Sequence, residues 1–211
     1  MTTLLVMAKE PVPGRVKTRL TSLYTPREAA ALAEAALIDT LETVRATPAG
    51  RRVLVLDGAP GRWLPPGIEV VAQAAGSLDM RLAAAFAGCS GPALLIGMDT
   101  PQVTPGMLAD GLRLAPGRAV FGPADDGGFW ALGLAEPDPD LVAGVPMSVA
   151  RTGAVQRLRL EEAGLSVREL PRLTDVDTPR DAALVADGAP DTRFAAEVRR
   201  LARLRAGAGA R

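Results

Sequence analysis

The chain has 211 residues, 48 % of them hydrophobic and 23 % charged, a balance that suits a globular protein with a core of its own. Lys plus Arg and Asp plus Glu both number 24, so the formal net charge is zero, which argues against a protein that coats nucleic acid or an anionic membrane. There is no histidine and one cysteine, Cys89, which excludes Ser-His-Asp and Cys-His nucleophiles, zinc held by Cys and His, and an internal disulfide.

Catalysis is left to carboxylates, Arg, Lys, hydroxyls, backbone groups or a hard metal ion. Aromatic residues make up only 3 %, too few for platforms that stack single-stranded nucleic acid. No run approaches the ~20 apolar residues that span a bilayer, and no basic region precedes the first apolar run; a cytoplasmic protein without a membrane span is expected.

Strand-length apolar runs alternate with segments of helical period. Leu4–Ala8 predicts a buried strand, followed by a Pro- and Gly-rich loop over Glu10–Leu20. Thr25, Pro26 and Glu28 open a long helix to Arg45, with Ala29, Leu32, Ala33, Ala36, Leu37, Leu41 and Val44 on its apolar face. Val53–Leu56 and Ile68–Ala72 predict two strands, Leu78–Ala87 a helix, and Ala93–Gly97 a wholly apolar, central strand. Thr104 caps a helix that reaches Leu114. Ala119–Gly122 and Phe129–Leu134 are strands whose short connection permits only an antiparallel hairpin. A helix over Gly153–Ala163, a strand over Ser166–Leu170 and helices over Thr178–Ala186 and Phe194–Arg205 follow, then a Gly/Ala-rich tail from Ala206 that is expected to fray. The rhythm implies a three-layer α/β/α sandwich around a mostly parallel, mixed sheet. Residues 1–187 would form the domain and 188–211 a C-terminal helix and tail.

In such folds ligands bind beyond the carboxyl ends of the strands. Beyond the first strand lie Lys9, Arg15, Lys17 and Arg19, which include both lysines of the chain, with Pro11, Pro13 and Gly14 bending the backbone. Amide dipoles, point charges and an Arg fork suit a phosphate, although a charge run also reads as a solvated loop. The loop is neither a Walker A loop nor a dinucleotide fingerprint. Beyond the central strand, Asp99 in Gly97-Met98-Asp99-Thr100-Pro101 reads either as a turn cap or as a ligand for Mg²⁺ or Mn²⁺. Asp125-Asp126-Gly127-Gly128 reads as a turn whose glycines admit another group and whose carboxylates can accept a proton or a sugar hydroxyl. Asp175-Val176-Asp177-Thr178-Pro179 caps a helix, and its alternation places two carboxylates on one side of an extended chain.

In this order, Met7–Leu20, Gly97–Pro101, Gly122–Leu134 and Asp175–Pro179 resemble a bacterial family of small glycosyltransferase-like proteins. That family is placed with the nucleotide-diphospho-sugar transferases of GT-A type, a Rossmann-like fold, and is related to guanylyltransferases acting on phospholactate and the molybdenum cofactor. The resemblance spans about residues 4–187. It implies that the backbone at Ala8 and Lys9 borders the nucleoside, that Gln73 reads the base, and that Gly14, Arg15, Lys17 and Arg19 hold the phosphates. It implies a divalent cation, Mg²⁺ or Mn²⁺, on Asp99 and Asp177, with Asp175 beside them. Asp125, Asp126, Gly127 and Gly128 would line the acceptor or sugar pocket; if the reaction inverts the anomeric centre, the place of Asp126 on the Asp-Gly-Gly turn makes it the candidate base. The family's Gly-Asp-Leu-Gly-x-Arg-Met reads Gly76-Ser77-Leu78-Asp79-Met80-Arg81-Leu82 here, and its Tyr after Gly-Gly is Phe129. The expected function is transfer of a sugar from a nucleotide sugar to a small acceptor. The alternatives are nucleotidyl transfer, with Lys17 and Arg19 on the attacked α-phosphate, and a nucleotide-binding module without catalysis.

Overall fold

The structure, a computed structural model, describes residues 1–209. A sheet of seven strands carries the order β3-β2-β1-β4-β6-β5-β7. The strands are β1 (Thr3–Lys9), β2 (Arg51–Asp57), β3 (Glu69–Ala72), β4 (Ala93–Gly97), β5 (Arg118–Pro123), β6 (Phe129–Leu134) and β7 (Ser166–Glu169). Only β6 runs antiparallel, paired on one side to β4 and on the other to β5. Its reversal makes β5 parallel to β4, and β7 pairs parallel to β5. The hairpin read from the short loop is therefore the device that carries the chain past β4 without changing the direction of the outer strands.

The helices are α1 (Pro26–Ala46), α2 (Leu78–Ala87), α3 (Pro105–Gly111), α4 (Thr152–Glu162), α5 (Pro179–Gly188) and α6 (Arg193–Gly209). Period-two alternation sorts the strands between two cores. Leu4, Val6, Leu54, Leu56, Leu94 and Ile96 pack on one face with Ala30, Ala33, Leu37, Leu41 and Val44 of α1. Leu5, Met7, Val53, Val55 and Leu95 pack on the other with Leu82 and Phe86 of α2 and Leu160 of α4. These are the three expected layers. A further cluster lies outside α1, where Phe194, Ala195 and Leu201 of α6 meet Leu20, Tyr24, Leu32, Val176, Ala182 and Val185. Asp39 of α1 accepts the Arg193 and Phe194 amides at 3.1 and 2.8 Å and so caps α6 from a neighbouring helix.

Three boundaries differ from expectation. α3 stops at Gly111 rather than Leu114; Gly111 packs on Leu94, where a Cβ would lie 2.7 Å from Leu94 Cδ2, and Pro116 disfavours helix at Ala115. α6 continues through residues 206–209 that were expected to fray. Arg205 lies 4.2 Å over the Tyr24 ring and 3.6 Å from the Glu28 carboxylate, holding its last turns; the remainder of the tail is outside the described residues. Short 3-10 helices at Thr18–Ser22 and Pro139–Leu141 replace expected loop. Among the described residues no helix is long and apolar enough to cross a membrane.

Phe194 is fully buried in the outer cluster. Phe194→Ala is expected to lower unfolding stability by about 3 kcal/mol. Urea denaturation followed by circular dichroism should show the loss as a lower midpoint of one shared transition, not as early melting of α6 alone.

Candidate active site

The carboxyl ends of β1, β4, β5 and β7 open on one edge, and the order reverses between β1 and β4, where such sheets leave a crevice. The loop after β1 lies over it. Val16 and Leu20 are buried and pin the loop at two points. Gly14 takes φ +79, and Lys17 takes φ 50 and ψ 41, a left-handed conformation uncommon for a residue with a side chain. This backbone aims Lys17 inward. Its Nζ lies 2.7 Å from Asp99 Oδ1, with the lysine side chain 10 % exposed. Arg19 pairs with Asp177 across the same edge. The Asp99 carbonyl accepts the Val176 amide at 2.9 Å, which fixes Asp175 and Asp177 on either side of that anchor. Lys17 and Arg19 are thus brought onto Asp99 and Asp177, while Arg15 is exposed and lines a neighbouring pocket with Lys9 and Asp57.

The Asp-Gly-Gly turn joins the same edge. The Asp125 amide donates to Leu173 O at 3.0 Å and the Asp125 carboxylate accepts the Thr174 hydroxyl. Asp126 is exposed, and one of its oxygens accepts the Gly128 amide at 2.8 Å. Gly127 has φ +86, and a Cβ there would lie 2.0 Å from the Ala150 carbonyl oxygen. Its own carbonyl accepts the Gly153 amide at 2.8 Å as α4 begins. Gly127 is therefore fixed by backbone packing, and the turn presents Asp126 because α4 sits tightly against it. Gly127→Ala is expected to cost about 2 kcal/mol or more, read as a lower melting temperature.

Asp99, Asp126, Asp175 and Asp177 share the edge with Lys17 and Arg19, so carboxylates outnumber cations. The consequence falls on Asp175, which is partly buried. Burial first, and then the charges of Asp99 and Asp126, raise its pKa from an ordinary 3.8 to about 7. A carboxyl held above its unfolded value binds its proton more tightly in the folded state. Its contribution is therefore lost as pH rises from about 4 through 7. In metal-free buffer Asp175→Asn is expected to raise stability above pH 7 by about 2 kcal/mol after solvent screening, and to have no benefit near pH 4. Melting curves across that range check the sign.

The far end of the crevice is polar and closely tied. The Gln73 amide nitrogen donates to Ala8 O at 2.8 Å and Val55 O at 3.2 Å, and its oxygen accepts Arg81 Nη1 at 3.1 Å. Gln73 thus spends its donors on the edges of β1 and β2. Arg81 also reaches Asp57 Oδ2 at 3.1 Å and Gly76 O at 2.9 Å. Beside this network a pocket of about 190 Å³ is lined by Lys9, Glu10, Arg15, Val16 and Asp57. Sequence reasoning did not single out Asp57, Glu10 or Arg81. Asp57 ends β2 as Asp99 follows β4, and the carboxyl-end rule applied to β2 would have found it. A second hollow, of about 230 Å³ around Arg118 and Leu134, lies at the opposite edge of the sheet, away from all these residues.

Among the described residues no three acidic, His or Cys side chains stand close enough to cage a metal ion. Mg²⁺ characteristically uses one or two carboxylates plus phosphate oxygens. The oxygen donors of Asp99 and of Asp175 or Asp177 are of the right chemistry, and Asp99 Oδ1 has no partner but the Lys17 ammonium.

The fold is that of the nucleotide-diphospho-sugar transferases. A crystal structure of a candidate nucleotide-diphospho-sugar transferase from Desulfovibrio desulfuricans G20 superposes with a TM-score of 0.84 at 24 % identity, covering 96 % of each chain. A nucleotidyl transferase from Methanothermobacter gives 0.60 at 17 % identity, over 89 % of this chain and 97 % of that one. Rv0371c from Mycobacterium tuberculosis H37Rv gives 0.58 at 21 %, over 87 % and 96 %. The chain belongs to the family described as uncharacterized proteins conserved in bacteria, DUF2064, whose match spans residues 32–149. That span contains Asp99 and the Asp-Gly-Gly turn but neither the cationic loop nor Asp175-Val176-Asp177. No curated protein matches in sequence.

Proposed function

We propose that this protein is a metal-dependent glycosyltransferase that moves a sugar from a nucleotide diphosphate sugar to the hydroxyl of a small acceptor. The observation that carries this reading is the division of charge across one crevice. Lys17 and Arg19 rise from the loop after β1, and Asp125, Asp126, Asp175 and Asp177 form the facing wall. A nucleoside diphosphate is recognised by the cationic side. The acidic wall repels a phosphorylated acceptor and accepts hydrogen bonds from a neutral, hydroxyl-bearing one.

In the reaction the acceptor oxygen bonds to the anomeric carbon, the bond from that carbon to the diphosphate breaks, and negative charge grows on the leaving phosphate. Arg15, Lys17 and Arg19 bind and stabilise that charge. Asp126 has one carboxylate oxygen occupied by Gly128 and one left to take the acceptor proton. Ala8, Gly14 and Lys9 border the nucleoside and phosphates, and Gln73 shapes that end by holding the Ala8 carbonyl. A divalent cation on Asp99 with Asp177 would neutralise the diphosphate oxygens as a Lewis acid. A structure of Rv0371c as a manganese complex supports a divalent ion in this fold.

Nucleotidyl transfer is the second reading. A fold neighbour named CMP:2-keto-3-deoxy-manno-octonic acid synthetase binds CTP, and others are named cytidylyltransferases. In that case Lys17 and Arg19 stabilise the α-phosphate under attack and pyrophosphate leaves.

Product analysis separates the two. With Mn²⁺ and a panel of nucleotide sugars, nucleoside diphosphate release is expected, and Asp126→Asn should slow it about 100-fold or more. Pyrophosphate release from a nucleoside triphosphate instead supports the second reading. Nucleotide binding that is indifferent to Asp99→Ala, with neither product, leaves a binding module.

A further inference from the structure

We infer that Lys17 is a resident counter-ion of Asp99, which a divalent cation displaces, so that metal and diphosphate bind cooperatively through the movement of one ammonium group. This rests on the reading of Asp99 as a metal ligand and names how that site is regulated.

The ammonium sits on the carboxylate oxygen that the proposed metal would need. Lys17 Nζ is 2.7 Å from Asp99 Oδ1, and that oxygen is buried with no hydrogen-bond partner besides. The lysine stem is nearly enclosed, so the pair is screened less than an exposed one. The backbone is built for this placement. Lys17 holds a left-handed conformation, its carbonyl accepts the Leu20 amide at 3.0 Å, and buried Val16 and Leu20 fix the chain to either side. The backbone is thus held on both sides, and any exchange of partner falls to the Lys17 side chain. Arg19, on the exposed side of the loop, pairs with Asp177. Without ligand, then, the cations that would meet a diphosphate are bound to the acids that would meet a metal.

Two exchanges follow from this geometry. A divalent cation at Asp99 repels the ammonium at contact distance and releases Lys17 toward the crevice. A diphosphate attracts Lys17 and strips Asp99 of its counter-ion, which opens the carboxylate to metal. Each ligand therefore raises the affinity of the other by the same factor, as linkage requires.

The test uses Mn²⁺ alone, with free ion read by electron paramagnetic resonance on the full chain, and needs neither donor nor acceptor. Lys17→Met removes the competing charge and is expected to bind Mn²⁺ about tenfold more tightly than wild type. Lys17→Arg keeps a cation beside Asp99 and is expected to stay near the wild-type affinity, which separates lost competition from a loosened loop. Asp99→Asn should abolish the gain when combined with Lys17→Met. Mn²⁺ affinity in folded Lys17→Met that is equal to or weaker than wild type overturns the inference. So does equal tightening by Lys17→Arg. Failure of the transferase reading shows elsewhere, as the absence of nucleotide turnover by the wild-type protein.

Discussion

Parallel strands deliver their loops to one edge, and here those loops carry aspartates. Asp99 follows β4, Asp126 follows β5, and Asp175 and Asp177 follow β7. Burial, reinforced by the charges of Asp99 and Asp126 at the same crevice, raises the proton affinity of Asp175. The loop after β1 sets counter-ions against these acids, Lys17 on Asp99 and Arg19 on Asp177. Much of the remaining structure serves that balance. The β5–β6 hairpin keeps β5 and β7 parallel to β4, so their acids arrive on the same side. Val16 and Leu20 root the cationic loop in two different hydrophobic clusters. The Asp99 carbonyl bound to the Val176 amide keeps the acidic loops in register.

The same residues serve folding and chemistry together. Thr178 caps α5 through its hydroxyl and Asp181 returns the bond, so the helix start fixes the place of Asp177 one residue earlier. Gly127 allows α4 to approach the turn, and that approach leaves Asp126 facing solvent at the crevice. The zero net charge and the lack of histidine are consistent with this design. The proposed transfer, with a diphosphate as leaving group, would call on cations and hard oxygen ligands and not on an imidazole or a thiol.

Most of this was legible in local pattern. The apolar runs at Leu4–Ala8 and Ala93–Gly97, the capping box at Thr25 and Glu28, and the short polar link before Phe129 each point to their element through period, cap or loop length. The four site segments were legible as strand exits rich in charge. Tertiary partners were not. The Lys17–Asp99 pair joins residues 82 positions apart, and no local pattern encodes it. Gln73 read as a base contact because of where it stands, but Arg81, Ala8 and Val55 use its amide. The extra turns of α6 depend on Arg205 finding Tyr24, a contact between chain ends. The need for glycine at 111 depends on how closely Leu94 packs there.

The central claim is that the loop after β1 and the facing aspartates together form one site for a nucleotide diphosphate and a divalent cation. The most direct measurement is a thermal-shift titration of the wild-type protein with nucleoside diphosphates and nucleotide sugars, each with and without Mn²⁺. Ligand that binds only the folded state raises the melting temperature in proportion to its affinity. The account predicts a rise with at least one nucleotide that grows when Mn²⁺ is present and exceeds the sum of the separate shifts. Shifts that merely add, or no shift with any nucleotide in the presence of Mn²⁺, would contradict it.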